Sequence, residues 1–96
     1  MRSLREILKE AEENVAAIGH FNISDLVGLK AIFEAAQESR VPVIIGTSEG
    51  EAGFIGYKQV AALVKSLREE HDFPIFLNVD HVKSLEKIKE AVRAGY

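Results

Sequence analysis

Asp80 and His81 place a carboxylate next to an imidazole at the end of the strand-like run 74–79. That run is entered through a proline and is rich in strand formers, which indicates a buried parallel strand. Ligands bind at the carboxyl ends of parallel strands, because the strand ends and the loops after them form a concave surface. Neighbouring strand residues point to opposite faces, so both side chains can serve one site only if the strand ends or twists between them. The sequence therefore predicts that the exit of this strand carries chemistry.

Two earlier apolar runs also end in polar residues. The run 15–19 is followed by His20 and Asn22, and the run 41–46 by Thr47 and Ser48. A lone histidine after a strand is more often a hydrogen-bonded structural residue than a ligand, and we prefer that interpretation for His20. Two interpretations stay open for Ser48, which either contacts a substrate or starts a turn.

Helices are predicted between these runs. Ser3 and Glu6 form a capping-box pattern, and the apolar spacing after them predicts an amphipathic helix over 4–13. Ser24 is expected to cap the second helix and Ser84 the last one. The loop that leads from the second strand to the next helix, through 53–56, exceeds the usual connection of about 2–6 residues, so we expect a functional loop or flap there. The apolar faces expected to point into the core are Leu26, Leu29, Phe33 and Ala36, then Val60, Leu63, Val64 and Leu67, and finally Leu85, Ile88 and Val92.

The strand-like runs recur along the chain. Pro42 and Pro74 enter two of them at equivalent positions 32 residues apart, and the first run begins at Val15. A spacing of about 30 residues is that of one βα unit. We therefore predict an α/β fold with an N-terminal helix and three βα units on a parallel sheet. The units either belong to a (β/α)8 barrel, with strand order 1-2-3, or form a small open flavodoxin-like sheet, with order 2-1-3.

Composition excludes several classes of function. The 96 residues suffice for one domain, 1–96, with a modest core. The net charge of −3 is spread over interspersed charges, which argues against a nucleic-acid partner. Without cysteine, any metal must be held by imidazole, carboxylate or water. The first residues lack the apolar core of a signal peptide and no apolar run reaches the roughly 18 residues of a membrane span, so we expect a cytoplasmic chain.

The motifs Ile45–Glu51, Phe54–Gly56 and above all Leu77–His81 resemble the amino-terminal part of the class II, zinc-dependent fructose-bisphosphate aldolases and their ketose- and tagatose-bisphosphate relatives. The resemblance runs through essentially the whole chain in order, from the leading helix to the third βα unit. It implies a partial (β/α)8 barrel, with three of the eight units of a fold that takes about 250 residues.

The resemblance also implies an activity and roles for particular residues. The family cleaves or forms a ketose bisphosphate, such as fructose 1,6-bisphosphate, between dihydroxyacetone phosphate and an aldehyde, with zinc polarising the ketone. It implies that Asp80 exchanges a proton with the aldehyde-derived hydroxyl and that His81 ligates zinc. Asn22 and Ser48 would contact the substrate. Glu49 and Glu51 would shape the rim of the site.

Two further expectations concern the chain as a molecule. The family takes its other zinc histidines from later strands, so we expect this 96-residue chain to be an aldolase fragment that is inactive on its own. A partial barrel exposes sheet edges and apolar strand faces, so the alternative is a non-catalytic fragment that forms a homo-oligomer or a domain-swapped dimer. A phosphoacceptor receiver domain is disfavoured, because its acidic magnesium ligands would stand where this chain has His20 and Asn22.

Overall fold

The computed structural model describes residues 2–96 and contains five helices and three strands in that part of the chain. In chain order they are α1 Leu4–Glu13, β1 Gly19–Asn22, α2 Leu26–Ser39, β2 Val43–Ser48, α3 Glu49–Ile55, α4 Tyr57–His71, β3 Ile75–Asp80 and α5 Leu85–Ala94. None of the helices in this part of the chain is long and apolar enough to cross a membrane.

The three strands form one parallel sheet in the order β1-β2-β3. This is the order that a segment of a (β/α)8 barrel requires, so the alternative of an open flavodoxin-like sheet is wrong. Val43 pairs with Ile75, which places the prolines before these two strands at equivalent positions, as predicted. The fold is therefore an N-terminal helix followed by three βα units arranged as an arc of a barrel.

The helix predicted over 4–13 is confirmed as α1, with the Ser3 side chain accepting a hydrogen bond from the backbone N–H of Glu6. Ile7 and Ala11 on its buried face lie at the amino ends of the strands. They line a cavity of about 520 Å³ there together with Pro42 and Pro74. Helix α1 thus covers the end of the sheet opposite the strand exits.

The first strand does not lie where the apolar run 15–19 predicted it. Val15 has a φ of 52° and is 95% exposed, because it ends α1 rather than starting a strand. The N–H groups of Val15 and Ala16 bond back to the carbonyls of Glu12 and Ala11, which is the pattern of a Schellman C-cap. The observed strand begins at Gly19, so His20 and Asn22 lie within it.

One face of the sheet packs against helices and holds the apolar core. Odd-numbered strand residues point to this face, because side chains alternate along a strand and parallel pairing keeps neighbouring strands in phase. The central core residues come from α2, β2, α4 and β3, and include Leu29, Phe33, Val43, Ile45, Val60, Val64 and Ile75. The predicted apolar stripe of α4 is confirmed, with Val60 and Val64 buried and Leu63 and Leu67 partly buried against the core.

Several other local predictions are wrong. Asp25, not Ser24, caps α2 by accepting a hydrogen bond from the N–H of Gly28 at 2.7 Å, and Leu26 beside it is 49% exposed. The connection after β2, through 53–56, is not an open loop, because Glu49–Ile55 forms helix α3 with a complete Ser48/Glu51 capping box.

The last of these wrong predictions concerns α5. Ser84 does cap this helix, but Leu85 and Val92 are 64% and 63% exposed and Ile88 is 37% exposed. The small residue Ala91 is the one that is buried, against Ala52 and Tyr57. The apolar stripe of α5 therefore faces away from the packed part of the chain.

Candidate functional site

The strand exits bring the predicted site residues together on the face of the sheet opposite the core. Gly46 pairs with Asn22 on one side and with Asn78 on the other, and Ser48 pairs with Asp80 two residues further toward the carboxyl ends. All five positions are even-numbered, so their side-chain directions share one face. The residues proposed from three separate segments thus meet at the carboxyl ends of the three strands.

Asn22 joins two carboxylates. Its Nδ2 donates to Oδ2 of Asp80 at 2.9 Å and to Oε1 of Glu51 at 3.2 Å. An amide nitrogen carries two hydrogens, so both bonds can exist at once. Asn22 is therefore held between the end of β3 and the first turn of α3.

Ser48 serves α3 as well as facing the site. Its Oγ accepts from the N–H of Glu51 at 3.1 Å, and Oε1 of Glu51 accepts from the N–H of Ser48 at 2.8 Å. The turn-starting interpretation of Ser48 is thus realised as a helix cap. A serine hydroxyl has one hydrogen to donate besides its acceptor lone pairs, so capping leaves that hydrogen for another partner.

His81 stands just beyond the last strand residue. Strand β3 ends at Asp80, and His81 has a φ of 54°, in the left-handed region, where the backbone turns away from the extended path. This turn leaves the two neighbouring side chains on the same side, with Nε2 of His81 3.8 Å from Oδ1 of Asp80. The imidazole is 87% exposed and the carboxylate 33% exposed, so both are open to a ligand.

His20, Gly46 and Asn78 belong to the same face, and residue types alone gave them no role in the site. Nε2 of His20 lies 3.2 Å from Nδ2 of Asn78, which suits the tautomer in which Nε2 accepts. A Cβ on Gly46 would lie 2.6 Å from Nε2 of His20 and 2.7 Å from Oδ1 of Asn22. The missing side chain of Gly46 is therefore what leaves room for the two polar side chains of β1. Even-numbered spacing along all three strands is the signal that could have grouped them.

The fit of these residues to zinc is limited. Imidazole is a preferred zinc ligand, and the exposed His81 at the strand exit could supply one nitrogen. A catalytic zinc takes about three protein ligands. Within residues 2–96, no group of three or more histidine, aspartate or glutamate side chains is arranged to hold a metal. The described part of the chain fits a contribution of one ligand to such a centre.

Two tyrosines lie behind the site on the helix-packed side, Tyr57 buried and Tyr96 partly buried. Burial raises the pKa of Tyr96, whose hydroxyl is 2.7 Å from the hydroxyl of the fully buried Thr47. Burial, and next the charge of Glu49, raise the pKa of Tyr57, which packs edge-on against Tyr96. The hydroxyl of Tyr57 is buried without a hydrogen-bond partner among the described residues. Both groups anchor α4 and the chain end rather than the strand exits.

Sequence comparison assigns the chain to a family. The profile described as Fructose-bisphosphate aldolase class-II matches residues 2–96. The chain therefore belongs to the class II fructose-bisphosphate aldolase family.

Particular relatives agree with this assignment. The chain is 45% identical over 97 aligned positions to the 6-phospho-5-dehydro-2-deoxy-D-gluconate aldolase of Bacillus licheniformis, covering 98% of this chain and 33% of that protein. It is 42% identical to the fructose-bisphosphate aldolase of Geobacillus stearothermophilus, covering 98% of this chain and 34% of that protein. The chain thus spans about a third of the length of these curated relatives.

A solved structure shares the fold. The crystal structure of the YdjI aldolase from Escherichia coli K12 superposes with a TM-score of 0.86 at 27% identity, covering 99% of this chain and 37% of that one. Nearly the whole chain therefore matches a little over a third of a known aldolase structure.

Proposed function

We propose that the 96 residues supply the first three βα units of a class II aldolase barrel and part of its active site. The hydrogen bond between Asn22 and Asp80 carries this proposal, because it joins the first and third strand exits into one polar cluster. The substrate of this active site would be a phosphorylated ketose. The first candidate is fructose 1,6-bisphosphate, which is cleaved to two triose phosphates.

Asp80 would act as the acid–base group. In the cleavage direction its carboxylate accepts the proton of the substrate hydroxyl on the carbon that becomes the aldehyde. The carbon–carbon bond then breaks, and its electron pair moves toward the ketone. In the opposite direction the same carboxyl returns the proton. The bond from Asn22 to Oδ2 leaves Oδ1 as the freer oxygen for this exchange.

His81 would hold zinc through its exposed imidazole, together with ligands from polypeptide beyond these 96 residues. Zinc, when bound, would stabilise negative charge that develops on a substrate oxygen. Oδ1 of Asn22, as an acceptor, and the free hydrogen of the Ser48 hydroxyl would orient the substrate beside Asp80. We infer that the chain alone does not turn over substrate, because one imidazole falls short of the usual ligand set.

A chimera tests these roles. In it, residues 2–96 replace the matched third of the Geobacillus stearothermophilus fructose-bisphosphate aldolase. We expect fructose 1,6-bisphosphate cleavage by the chimera and a loss in kcat of about 10²–10⁴-fold on Asp80→Asn, with zinc content unchanged. His81→Ala should lower zinc content measured by mass spectrometry. Asp72→Asn and His71→Ala, which lie at the other end of the sheet, are matched controls.

An Asp80→Asn chimera with kcat within threefold of its parent would contradict the acid–base role. A His81→Ala chimera that keeps full zinc content would contradict the ligand role. The 6-phospho-5-dehydro-2-deoxy-D-gluconate substrate named for the Bacillus licheniformis relative is the alternative substrate to assay if fructose 1,6-bisphosphate is not cleaved.

A second candidate function is self-association of the isolated chain. β1 and β3 each pair only with β2, so each leaves one edge unpaired within the described residues. Apolar side chains are also exposed: Phe21 is 50% exposed beside an apolar groove of about 410 Å³ near β1, and Leu85 and Val92 are exposed on α5. We propose that a second copy covers these surfaces in a homo-oligomer or domain-swapped dimer.

Size-exclusion chromatography with light scattering tests this proposal. We expect a species larger than the 10.6 kDa monomer, and a shift toward the monomer on Val92→Lys. Val15→Lys changes an equally apolar and more exposed residue just after α1 and should leave the mass unchanged. A wild-type chain that elutes as a monomer at high concentration would exclude self-association.

A further inference from the structure

We propose that Glu51 is a positioning residue for the acid–base group, acting on Asp80 through the side chain of Asn22. This inference depends on the proposed role of Asp80. Glu51 and Asp80 lie on different elements, yet both carboxylates accept from the same Nδ2 atom. The amide is therefore a bridge between the first turn of α3 and the exit of β3.

The bridge has only one workable orientation. If the Asn22 amide were rotated by half a turn, its Oδ1 would face two carboxylates and both hydrogen bonds would become repulsive. In the observed orientation Oδ1 points toward Gly46 instead, where a Cβ would lie 2.7 Å away. Two acceptors on one side and a bare backbone on the other therefore select a single amide rotamer.

Glu51 is itself held firmly. It is partly buried, and its Oε1 also accepts from the backbone N–H of Ser48 at 2.8 Å, which completes the capping box of α3. The short helix α3 and the end of β2 therefore fix the position of this carboxylate. Without it, Asn22 keeps only one charged partner, and the rotation of its amide is no longer restricted from the α3 side.

The consequence for catalysis follows from this geometry. A reacting group that is not held in its productive position loses rate, even when the group itself is intact. Removing the Glu51 carboxylate leaves Asp80 in place but lets Asn22 move, and Asp80 loses a fixed hydrogen-bond donor. The Glu51→Gln variant keeps an acceptor oxygen at this position for both Asn22 and Ser48, so it should preserve the bridge.

A double-mutant cycle in the chimera described above separates this role from simple helix capping. We expect Glu51→Ala to lower kcat about tenfold, as for loss of a hydrogen bond to a charged group, and Glu51→Gln to restore kcat to within about threefold. In the Asn22→Ala background, Glu51→Ala should lower kcat by less than twofold further. Full additivity of the two losses would overturn the proposal, because a capping role does not pass through Asn22.

A measurement on the 96-residue chain itself does not depend on activity. In NMR spectra, the Asn22 side-chain amide should show slow hydrogen exchange in the wild type and faster exchange in Glu51→Ala, with Glu51→Gln close to the wild type. Glu6→Ala removes the corresponding capping-box glutamate of α1 and should leave the Asn22 amide unchanged. An Asn22 amide that does not respond to Glu51→Ala would overturn the link.

Different results would contradict the acid–base role of Asp80 and the positioning role of Glu51. If Asp80→Asn leaves kcat of the chimera unchanged, the acid–base role is wrong, whereas the Asn22 amide exchange still decides whether Glu51 holds this bridge. If Asp80→Asn abolishes activity and the cycle is additive, the acid–base role stands and the positioning role is wrong.

Discussion

Gly46→Ala is the substitution that most directly tests the packing of the sheet face that carries Asn22 and Asp80. Gly46 lies in the middle of β2 with an ordinary φ, so a side chain there meets no backbone penalty. Its Cβ would lie 2.6 Å from Nε2 of His20, against an optimal contact of about 3.5 Å, so the ring must move by roughly 1 Å. A movement of that size breaks the 3.2 Å contact between His20 and Asn78.

Asn22 is affected by the same methyl group, because its Oδ1 would lie 2.7 Å away. Moving the amide weakens its bonds to Asp80 and Glu51. Losing one neutral hydrogen bond and weakening those to charged partners costs about 2–3 kcal/mol, from which the lower entropy of an unfolded chain with alanine subtracts about 0.5 kcal/mol. We expect a net loss of about 2 kcal/mol in the free energy of unfolding.

Urea and thermal denaturation followed by circular dichroism measure this loss. For a domain of this size, about 2 kcal/mol lowers Tm by roughly 10 °C. Gly53→Ala is the matched control, since nothing lies within 4 Å of its Cβ in α3 and alanine favours a helix by about 1 kcal/mol. In a His20→Ala background the cost of Gly46→Ala should fall by about half, since the contact with the ring is gone. An unchanged Tm, or an equal loss with and without His20, would refute the account of this face.

Tyr57 and Tyr96 give predictions of opposite sign. Tyr57→Phe removes a buried hydroxyl without a partner among the described residues, so it should stabilise the chain by about 1 kcal/mol in urea denaturation. Tyr96→Phe leaves the buried Thr47 hydroxyl unpaired and should destabilise it by about 1 kcal/mol; equal signs would contradict this. Because burial raises both pKa values, the unfolded state ionises first, and stability should fall as pH rises above about 10. The double variant should show a flatter alkaline profile, and an unchanged slope would contradict the role of the tyrosines.

Strand pairing could be predicted from the sequence because two prolines marked the same point in two units. Pro42 and Pro74 precede strands whose first residues, Val43 and Ile75, are paired in the sheet. With that register and an alternation of two residues, the face shared by Ser48 and Asp80 follows directly. The strand order also follows once the units are taken as part of a barrel rather than an open sheet.

The first strand could not be placed from apolar content alone. Val15 is a strong strand former, yet it adopts a left-handed conformation that ends α1. The backbone hydrogen bonds of the helix end determine its conformation, and no residue pattern in the run 15–19 announces them. The strand instead includes Gly19 and His20, which have weaker strand preferences but continue the pairing with β2.

The predictions for helix α3 and for the apolar stripe of α5 failed for two different reasons. Ser48 and Glu51 match the same capping-box pattern that correctly located α1, so α3 was predictable, although the length of the segment indicated a loop. The stripe of Leu85 and Val92 was not, because an apolar helix face predicts burial without specifying the partner. Here Ala91 makes the contact with the rest of the chain.

The candidate site depends on the register of strand pairing more than on any single residue. Asn22, Ser48 and Asp80 reach the same face because they occupy even-numbered positions in strands paired without a bulge. A slip of one residue in β1 would turn Asn22 toward the core and break its bridge between Glu51 and Asp80. His81 is odd-numbered and would point away from the site on a regular strand. It stays beside Asp80 because β3 ends there and the backbone turns at His81 itself, so the strand end is part of the site as much as the residues are.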